Sequence, residues 1–371
     1  MNSMPVISLF SGAGGMDRGF ENAGFRVLLA LDDDPAAVST YNWNRTRQHA
    51  PAIRKDLSKA NAKNIIRWWE ERAGTNTRPI GLLGGPPCQA FSIANVHKLT
   101  DDPRAKLPLH YARILKAVSA KFDLDFFVFE NVAGLAQRLH TASMETLVRR
   151  FEDSGFGVRW FFLDAVDFRV AQYRRRLFFV GFNRSRFDAT SFAPPVGGPD
   201  RVTVREAIGG LPDAIFYSRF VRPLDLGLHP NHWCMTPRSD KFTNGALKSG
   251  EMKGRSFRML RWDTPSWTVS YGHREVHVHP NGKRRLSVYE AMLLQGFPPD
   301  YELLGTLSQQ IRLVSDAVPP PLAHALAVSI RKFLAQARRS TNPEAQLDVN
   351  GQSEQLGLRG VQTVAPRSTR A

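Results

Sequence analysis

A single cysteine follows two prolines in Gly84-Gly85-Pro86-Pro87-Cys88-Gln89-Ala90-Phe91-Ser92, at the end of the apolar run 80–83. A second apolar run, 125–129, delivers Glu130-Asn131-Val132. One thiol and one carboxylate, each at the end of a strand-like segment, suit a particular chemistry. The thiol can add to an electron-poor ring while the acid activates that ring through a hydrogen bond. Only a thiolate attacks, so the Cys88 proton must be made acidic or be accepted nearby. A lone buried cysteine is usually inert packing. The Pro-Pro-Cys-Gln context and the matching Glu-Asn-Val segment favour the chemical reading.

These groups need a frame to hold them. The first half alternates strand-like runs at 6–10, 27–31, 80–83 and 125–129 with helical stretches at 17–23, 35–44, 105–118 and 142–153. A further strand is expected at 178–182. Such alternation predicts an α/β fold, a mostly parallel sheet with helices on both faces. After about residue 184 the texture changes. Residues 186–275 are rich in Pro, Gly and Arg, with basic residues at Arg238, Lys241, Lys248, Lys253, Arg255, Arg258 and Arg261. This stretch is expected to form a smaller, irregular second domain. Regular patterning returns at Ser287, where Ser287-x-x-Glu290 is a capping-box signature for a helix through Leu294. Prolines at 319–321 introduce an apolar helix to about residue 337. From about residue 340 the chain is polar and is expected to be a disordered tail.

Composition sets outer limits. The 371 residues can bury a large core or hold two domains. No run of about 18 apolar residues occurs, so no membrane span is expected. The N-terminus lacks a signal-peptide layout. Two cysteines, Cys88 and Cys234, cannot build a disulfide framework, which points to a reducing compartment. The net charge of +16 fits a polyanionic partner, because basic surfaces gain affinity by releasing phosphate counterions. Charge alone does not separate DNA from RNA.

A second constellation lies at the N-terminus. Phe10-Ser11-Gly12-Ala13-Gly14-Gly15 follows the first strand and opens a helix, so backbone can approach a ligand closely there. The second strand ends in Asp32-Asp33-Asp34. An acid at that place can accept hydrogen bonds from ribose hydroxyls; Asp34, before Pro35, also fits a helix N-cap. Asp56, after the third expected strand, could meet an adenine amino group. The glycine spacing is not G-x-G-x-x-G, which argues against a dinucleotide.

Taken together, these motifs resemble the cytosine-5 DNA methyltransferases over most of residues 5–335. The resemblance is carried by SLFSGAGGMDRGFENAGF at 8–25, GGPPCQAFS at 84–92, ENV at 130–132, QYRRRLFFVG at 172–181, RRLSVYEAMLLQGFP at 284–298 and DAVPPPLA at 316–323. It implies a Rossmann-like, S-adenosylmethionine-dependent methyltransferase sheet with a smaller target-recognition domain. Cys88 would attack C6 of cytosine, making C5 nucleophilic toward the methyl group. Glu130 would bind N3 and the exocyclic amine, protonated or sharing a proton. Arg176 would hold the base carbonyl, with Arg174 and Gln172 supporting the pocket. Phe10, Gly12 and Gly14 would line the donor, Asp32 with Asp33 beside it would meet the ribose, and Asp56 the adenine. Pro87, Leu107 and the segment at Asp316 would complete that pocket. The acceptor base must leave its duplex to reach Cys88.

The resemblance further implies double-stranded DNA as substrate, a bacterial cytoplasmic setting at the nucleoid, a monomer, and a cognate restriction endonuclease as a candidate partner. A solitary methylase fits equally. It divides the chain into 1–185 for catalysis and donor binding, 186–275 for target recognition, 276–339 returning to the catalytic lobe, and the tail 340–371. His273, His277 and His279 are not read as a metal site, since no cysteine or carboxylate cluster accompanies them. The sequence departs from the family pattern at three places. Ser315-Asp316 stands for the usual Gly-Asn, Tyr289 for an Arg, and Ala105 for a Gly in the Asp102–Leu107 stretch, which resembles a mobile loop. Two rivals share the motifs: an RNA cytosine-5 methyltransferase and a DNA-binding relative with little turnover. The tRNA-acting branch carries Cys-Phe-Thr in its recognition region; here Cys234 precedes Met235-Thr236.

Overall fold

The computed structural model describes residues 4–45, 50–87, 106–136, 141–253, 257–268 and 276–340. The chain runs β1 (Met4–Leu9), α1 (Gly15–Asn22), β2 (Phe25–Asp32), α2 (Pro35–Trp43), β3 (Ala52–Arg54), α3 (Ala62–Ala73), β4 (Gly81–Gly84), α4 (Leu107–Phe122), β5 (Phe126–Val132), α5 (Thr141–Glu152), β6 (Phe156–Asp164) and β7 (Arg175–Asn183). These strands form a seven-stranded sheet in the order β3-β2-β1-β4-β5-β7-β6. Strands β1 to β5 pair in parallel, whereas β7 inserts antiparallel between β5 and β6. The sheet is thus mixed at one edge.

Alternation along each strand feeds two separate cores. On β5, Phe126 and Val128 point to one face while Phe127 and Phe129 point to the other. The same holds on β7 for Phe178 and Val180 against Leu177 and Phe179. The first face is covered by α1 and by α9 (Pro320–Ser340), which pack on each other; the second is covered by α3, α4 and α5. Tyr111 of α4 ties the centre together, its hydroxyl donating to the Leu82 and Val128 carbonyls at 3.1 Å each.

The expected caps form. Asp34 accepts the Ala36 amide at 2.9 Å at the start of α2. Ser287 and Glu290 make the reciprocal capping box that opens α7 (Val288–Leu294). Among the described residues between β7 and α7 lie α6 (Val204–Ile208), short 3-10 turns and strands of two or three residues. α8 (Leu307–Asp316) precedes α9. The stretch Leu307–Ala337 is long and apolar enough to cross a membrane by composition, but 67% of its most apolar window is buried. It is also split by Ala317, Val318 and Pro319, and so behaves as core.

Candidate active site

The carboxyl ends of β1, β2, β4 and β5 meet where the strand order reverses, between β1 and β4. In open α/β sheets the ligand crevice lies at that point. β1 runs into the glycine loop, β2 ends in the Asp cluster, β4 runs into Gly85-Pro86-Pro87, and β5 ends in Glu130 and its neighbours. Sequence-distant motifs are brought to one edge by topology alone. Cys88 and the loop to residue 105 lie outside the described residues.

On the β5 side, Glu130 is buried and paired with Arg176, whose Nε sits 3.0 Å from Oε1. The antiparallel register makes this contact: Val132 faces Arg176 across the ladder, so the arginine reaches back along β5. Among the described residues Oε2 has no hydrogen-bond partner. It lies beside Gly85, where a Cβ would come within 2.9 Å of it. Gly85 therefore lets the Pro-Pro segment pass close over the acid. Burial raises the Glu130 pKa above its ordinary value, Asp316 adds to the rise, and Arg176 and Arg174 oppose it. This acid holds its proton to a higher pH than a free glutamate does.

Arg174 and Gln172 reach toward α8 and the Gln295 side chain beside it. Arg174 is fully buried, and its Nη2 donates to the Ser315 carbonyl at 2.6 Å. Gln172 is fully buried and its Nε2 lies 3.5 Å from Gln295 Oε1. Gln295 Nε2 in turn lies 2.7 Å from both the Val314 and Ala317 carbonyls. Together Gln295 and Arg174 hold three carbonyls at the C-terminal end of α8, where a helix runs out of its own amide donors. Gln295 was not among the residues singled out from the sequence. Its signal is present, a glutamine in the Leu-Gln-Gly-Phe run, but its partners are distant in sequence.

On the β1 side, Phe10 and Gly12 adopt left-handed backbone (φ 55° and 54°) and turn the chain sharply. A Cβ added at Gly12 would meet nothing within 4 Å, so open space borders the loop there. Gly14 differs: a Cβ there would strike the Tyr41 ring at 2.8 Å. Asp32 accepts the Gly12 amide at 2.8 Å and the Asp34 amide at 3.0 Å. Burial raises its pKa to about 6 against those two bonds. Beneath the loop, fully buried Asp17 accepts Ser8 Oγ at 2.8 Å and Tyr41 Oη at 2.7 Å, and burial pushes it up to about 6. That support was likewise absent from the sequence reading.

The remaining expected donor contacts differ in their settings. Asp33 is exposed, and its carbonyl accepts Arg54 Nε at 3.0 Å. Asp56 is exposed in a local turn, accepting Ser58 N at 2.9 Å and Ser58 Oγ at 2.5 Å; the Ser58 hydroxyl first, and Lys59 after it, lower its pKa. Pro87 is exposed and Leu107 is buried at the start of α4. Asp316 is the last residue of α8, with its side chain exposed. His277 stacks on Trp267, and His279 lies 3.7 Å from Glu290, beside the Arg284–Glu290 pair; His273 lies outside the described residues.

A family profile described as C-5 cytosine-specific DNA methylase matches residues 4–332. The chain belongs to that family. The methylase is similar to the type II methyltransferase M.FnuDI of Fusobacterium nucleatum, 31% identical over 361 residues, covering 91% of this chain and 96% of that one. It is also similar to M.MthTI of Methanothermobacter thermautotrophicus, 32% identical over 354 residues, covering 90% and 98%. Among solved structures, a putative DNA modification methyltransferase encoded within an E. coli prophage superposes with a TM-score of 0.71 at 24% identity, covering 90% of this chain and all of that one. The Dnmt2 methyltransferase of S. pombe superposes at 0.60 with 16% identity, covering 90% and 99%. These two likenesses concern the fold. The methylase is a DNA (cytosine-5-)-methyltransferase, and its sheet is the α/β methyltransferase sheet expected from the sequence.

Proposed function

We propose that this methyltransferase acts on cytosine flipped out of a specific duplex sequence, through a transient bond between the Cys88 sulfur and C6. The observation that carries this reading is the Glu130 carboxyl: one oxygen is paired with Arg176, and the other lies beside Gly85 with no hydrogen-bond partner among the described residues. Cys88 is three residues beyond Gly85, and chain connectivity limits their Cα separation to about 11 Å. A thiol and a proton-holding acid are thereby kept to one neighbourhood.

The Cys88 thiolate adds to C6, and the ring's electrons move toward N3, where Glu130 supplies a hydrogen bond or its proton. Arg176 donates to the base carbonyl. C5 becomes the carbon nucleophile of an enamine. S-adenosylmethionine, when bound, supplies the electrophilic methyl group. Loss of the C5 proton to a water or another base and departure of the Cys88 sulfur then restore the aromatic ring. The open space beside Gly12 fits a bound donor, with Phe10, Gly12 and Gly14 forming the loop and Asp32 and Asp33 at the ribose end. Asp32 spends both oxygens on backbone amides but keeps lone pairs for ribose hydroxyls. Asp56 likewise keeps acceptor capacity for an adenine amine. Pro87, Leu107 and Asp316 close the other sides. Arg174 and Gln172 hold the wall rather than the base.

Residues 186–275 are assigned to target recognition, between a catalytic lobe at 1–185 and its returning part at 276–339. Exposed Phe220 with Arg219 over its ring, and Lys241 and Arg285 around Phe242 and Phe257, present the mixed basic and aromatic surface that suits DNA. The relatives named as type II methyltransferases support a restriction–modification setting. A monomeric enzyme with a separate endonuclease is the arrangement that goes with this reading. The test uses duplex DNA containing 5-fluorocytosine, whose fluorine cannot leave as a proton. Wild type with donor should form a denaturation-resistant protein–DNA adduct, and Cys88→Ser should bind DNA without forming it. An adduct that persists in Cys88→Ser would refute the assigned nucleophile.

A further inference from the structure

The end of α8 is a wall with one projecting charge. Ser315, Ala317 and Val318 are buried, and Asp316 between them is exposed. The wall is held from three directions. Gln295 binds the carbonyls of Val314 and Ala317, and Arg174 binds that of Ser315. Gly15, in the glycine loop, packs directly on the Val318 carbonyl and Ala317 side chain, leaving no room for a Cβ. Arg312, one turn back on α8, is ion-paired with Asp34 at the end of the β2 cluster.

Asp316 therefore stands between two halves of the crevice. On one side, Arg174 and Arg176 are close enough to stabilise its charge, and Asp316 opposes charge on Glu130. On the other side, it feels Arg312 and is opposed by Asp34. On the reading proposed above, the base lies with Glu130 and Arg176, and the ribose with the β2 cluster. The atom that gives up the methyl group must lie between them. In the donor that atom is a cationic sulfonium; in the demethylated product it is a neutral thioether.

We propose that Asp316 is a donor-binding residue that distinguishes charge, holding S-adenosylmethionine in preference to S-adenosylhomocysteine and so limiting product inhibition. The proposal rests on the donor reading above. Asp316 is accessible to solvent, yet the protein packed around it partly desolvates the carboxyl and raises its pKa, while Arg174, Arg312 and Arg176 favour its charged form. A carboxylate that only neutralised Arg174 would affect both ligands alike. One that faces the sulfonium affects the cation alone.

Calorimetric titration without DNA, hence without turnover, separates these cases. Asp316→Asn should weaken S-adenosylmethionine binding roughly tenfold, the effect of one partly screened charge pair, and leave S-adenosylhomocysteine within about twofold. Asp316→Glu should retain much of the preference. Sinefungin, with an amine near the sulfonium position, should follow the cationic donor. Equal changes for both ligands, or no change for either, overturn the proposal. If Asp316→Asn does not fold, the wild type still tests it: sinefungin must bind several-fold tighter than S-adenosylhomocysteine, and equal binding overturns it. Failure of all three ligands to bind wild type overturns the donor reading as well and is a distinct result.

Discussion

Glu130 and Glu290 are both buried glutamates beside an arginine, yet their proton affinities move in opposite directions. Glu290 receives Arg284 through two bonds of 2.8 Å, and the Ser287 amide at 2.7 Å. Glu130 receives Arg176 Nε on one oxygen at 3.0 Å. Burial is the largest influence on both and raises both. At Glu290 the Arg284 bonds and charge, with His279 and the Ser287 amide, overcome it and the pKa falls; at Glu130 burial prevails. A carboxylate whose two oxygens both accept strong hydrogen bonds is a bolt joining α7 to the segment before it. A carboxyl with an oxygen left over can hold a proton and offer it to a ring.

Separate substitutions can break that contrast. The largest effect is expected for Glu130→Gln. Single-turnover methyl transfer should fall by roughly 10²- to 10⁴-fold, the usual worth of a general acid. Its melting temperature should hold or rise, because a poorly compensated buried acid is removed. Turnover within tenfold of wild type would take the proton role away from Glu130. Glu290→Ala should do the reverse at the level of folding. Leaving Arg284 buried without its partner should cost about 3–5 kcal/mol, read by urea denaturation. A loss below about 1 kcal/mol would mean the pair is not structural in the sense argued.

The smallest effect concerns pH and sharpens the contrast most. The folded pKa of Glu130 is raised above 4.5, so its contribution to stability is complete below that value and is lost as pH climbs through the folded pKa. The folded pKa of Glu290 is lowered, so its contribution is present above 4.5 and is lost as pH falls through the folded pKa. Glu130→Gln should therefore flatten the stability loss on the rising side, and Glu290→Gln the loss on the acid side. Melting curves across that range would show it. Identical pH profiles for the two variants would erase the distinction.

Much of the frame was legible because its signals are local. Asp34 before Pro35 and Ser287-x-x-Glu290 announce helix starts, and both caps are present. The strand runs before the glycine loop, before Gly85 and before Glu130 are apolar on both faces, as strands covered on both sides must be. Outside the irregular stretch 186–275, three elements escaped notice. α3 and α8 start with capping boxes, at Asn61 with Asn64 and at Thr306 with Gln309, but their apolar positions are interrupted by polar ones. β6 is an edge strand whose residues are mostly only half-buried, so its pattern is blurred.

Composition and motif order, by themselves, determined the fold class, the family and the residue types available for chemistry, because those depend on short-range patterns and side-chain identity. Tertiary structure alone decided which arginine serves which partner. Arg176 reaches Glu130 because β7 runs antiparallel to β5, while Arg174, two residues earlier, is committed to the Ser315 carbonyl 141 positions away. The exposure of Asp316 on a wall tied by Gln295 arose in the same way. Such contacts follow from strand direction and helix packing, which place residues far apart in the chain within hydrogen-bond reach.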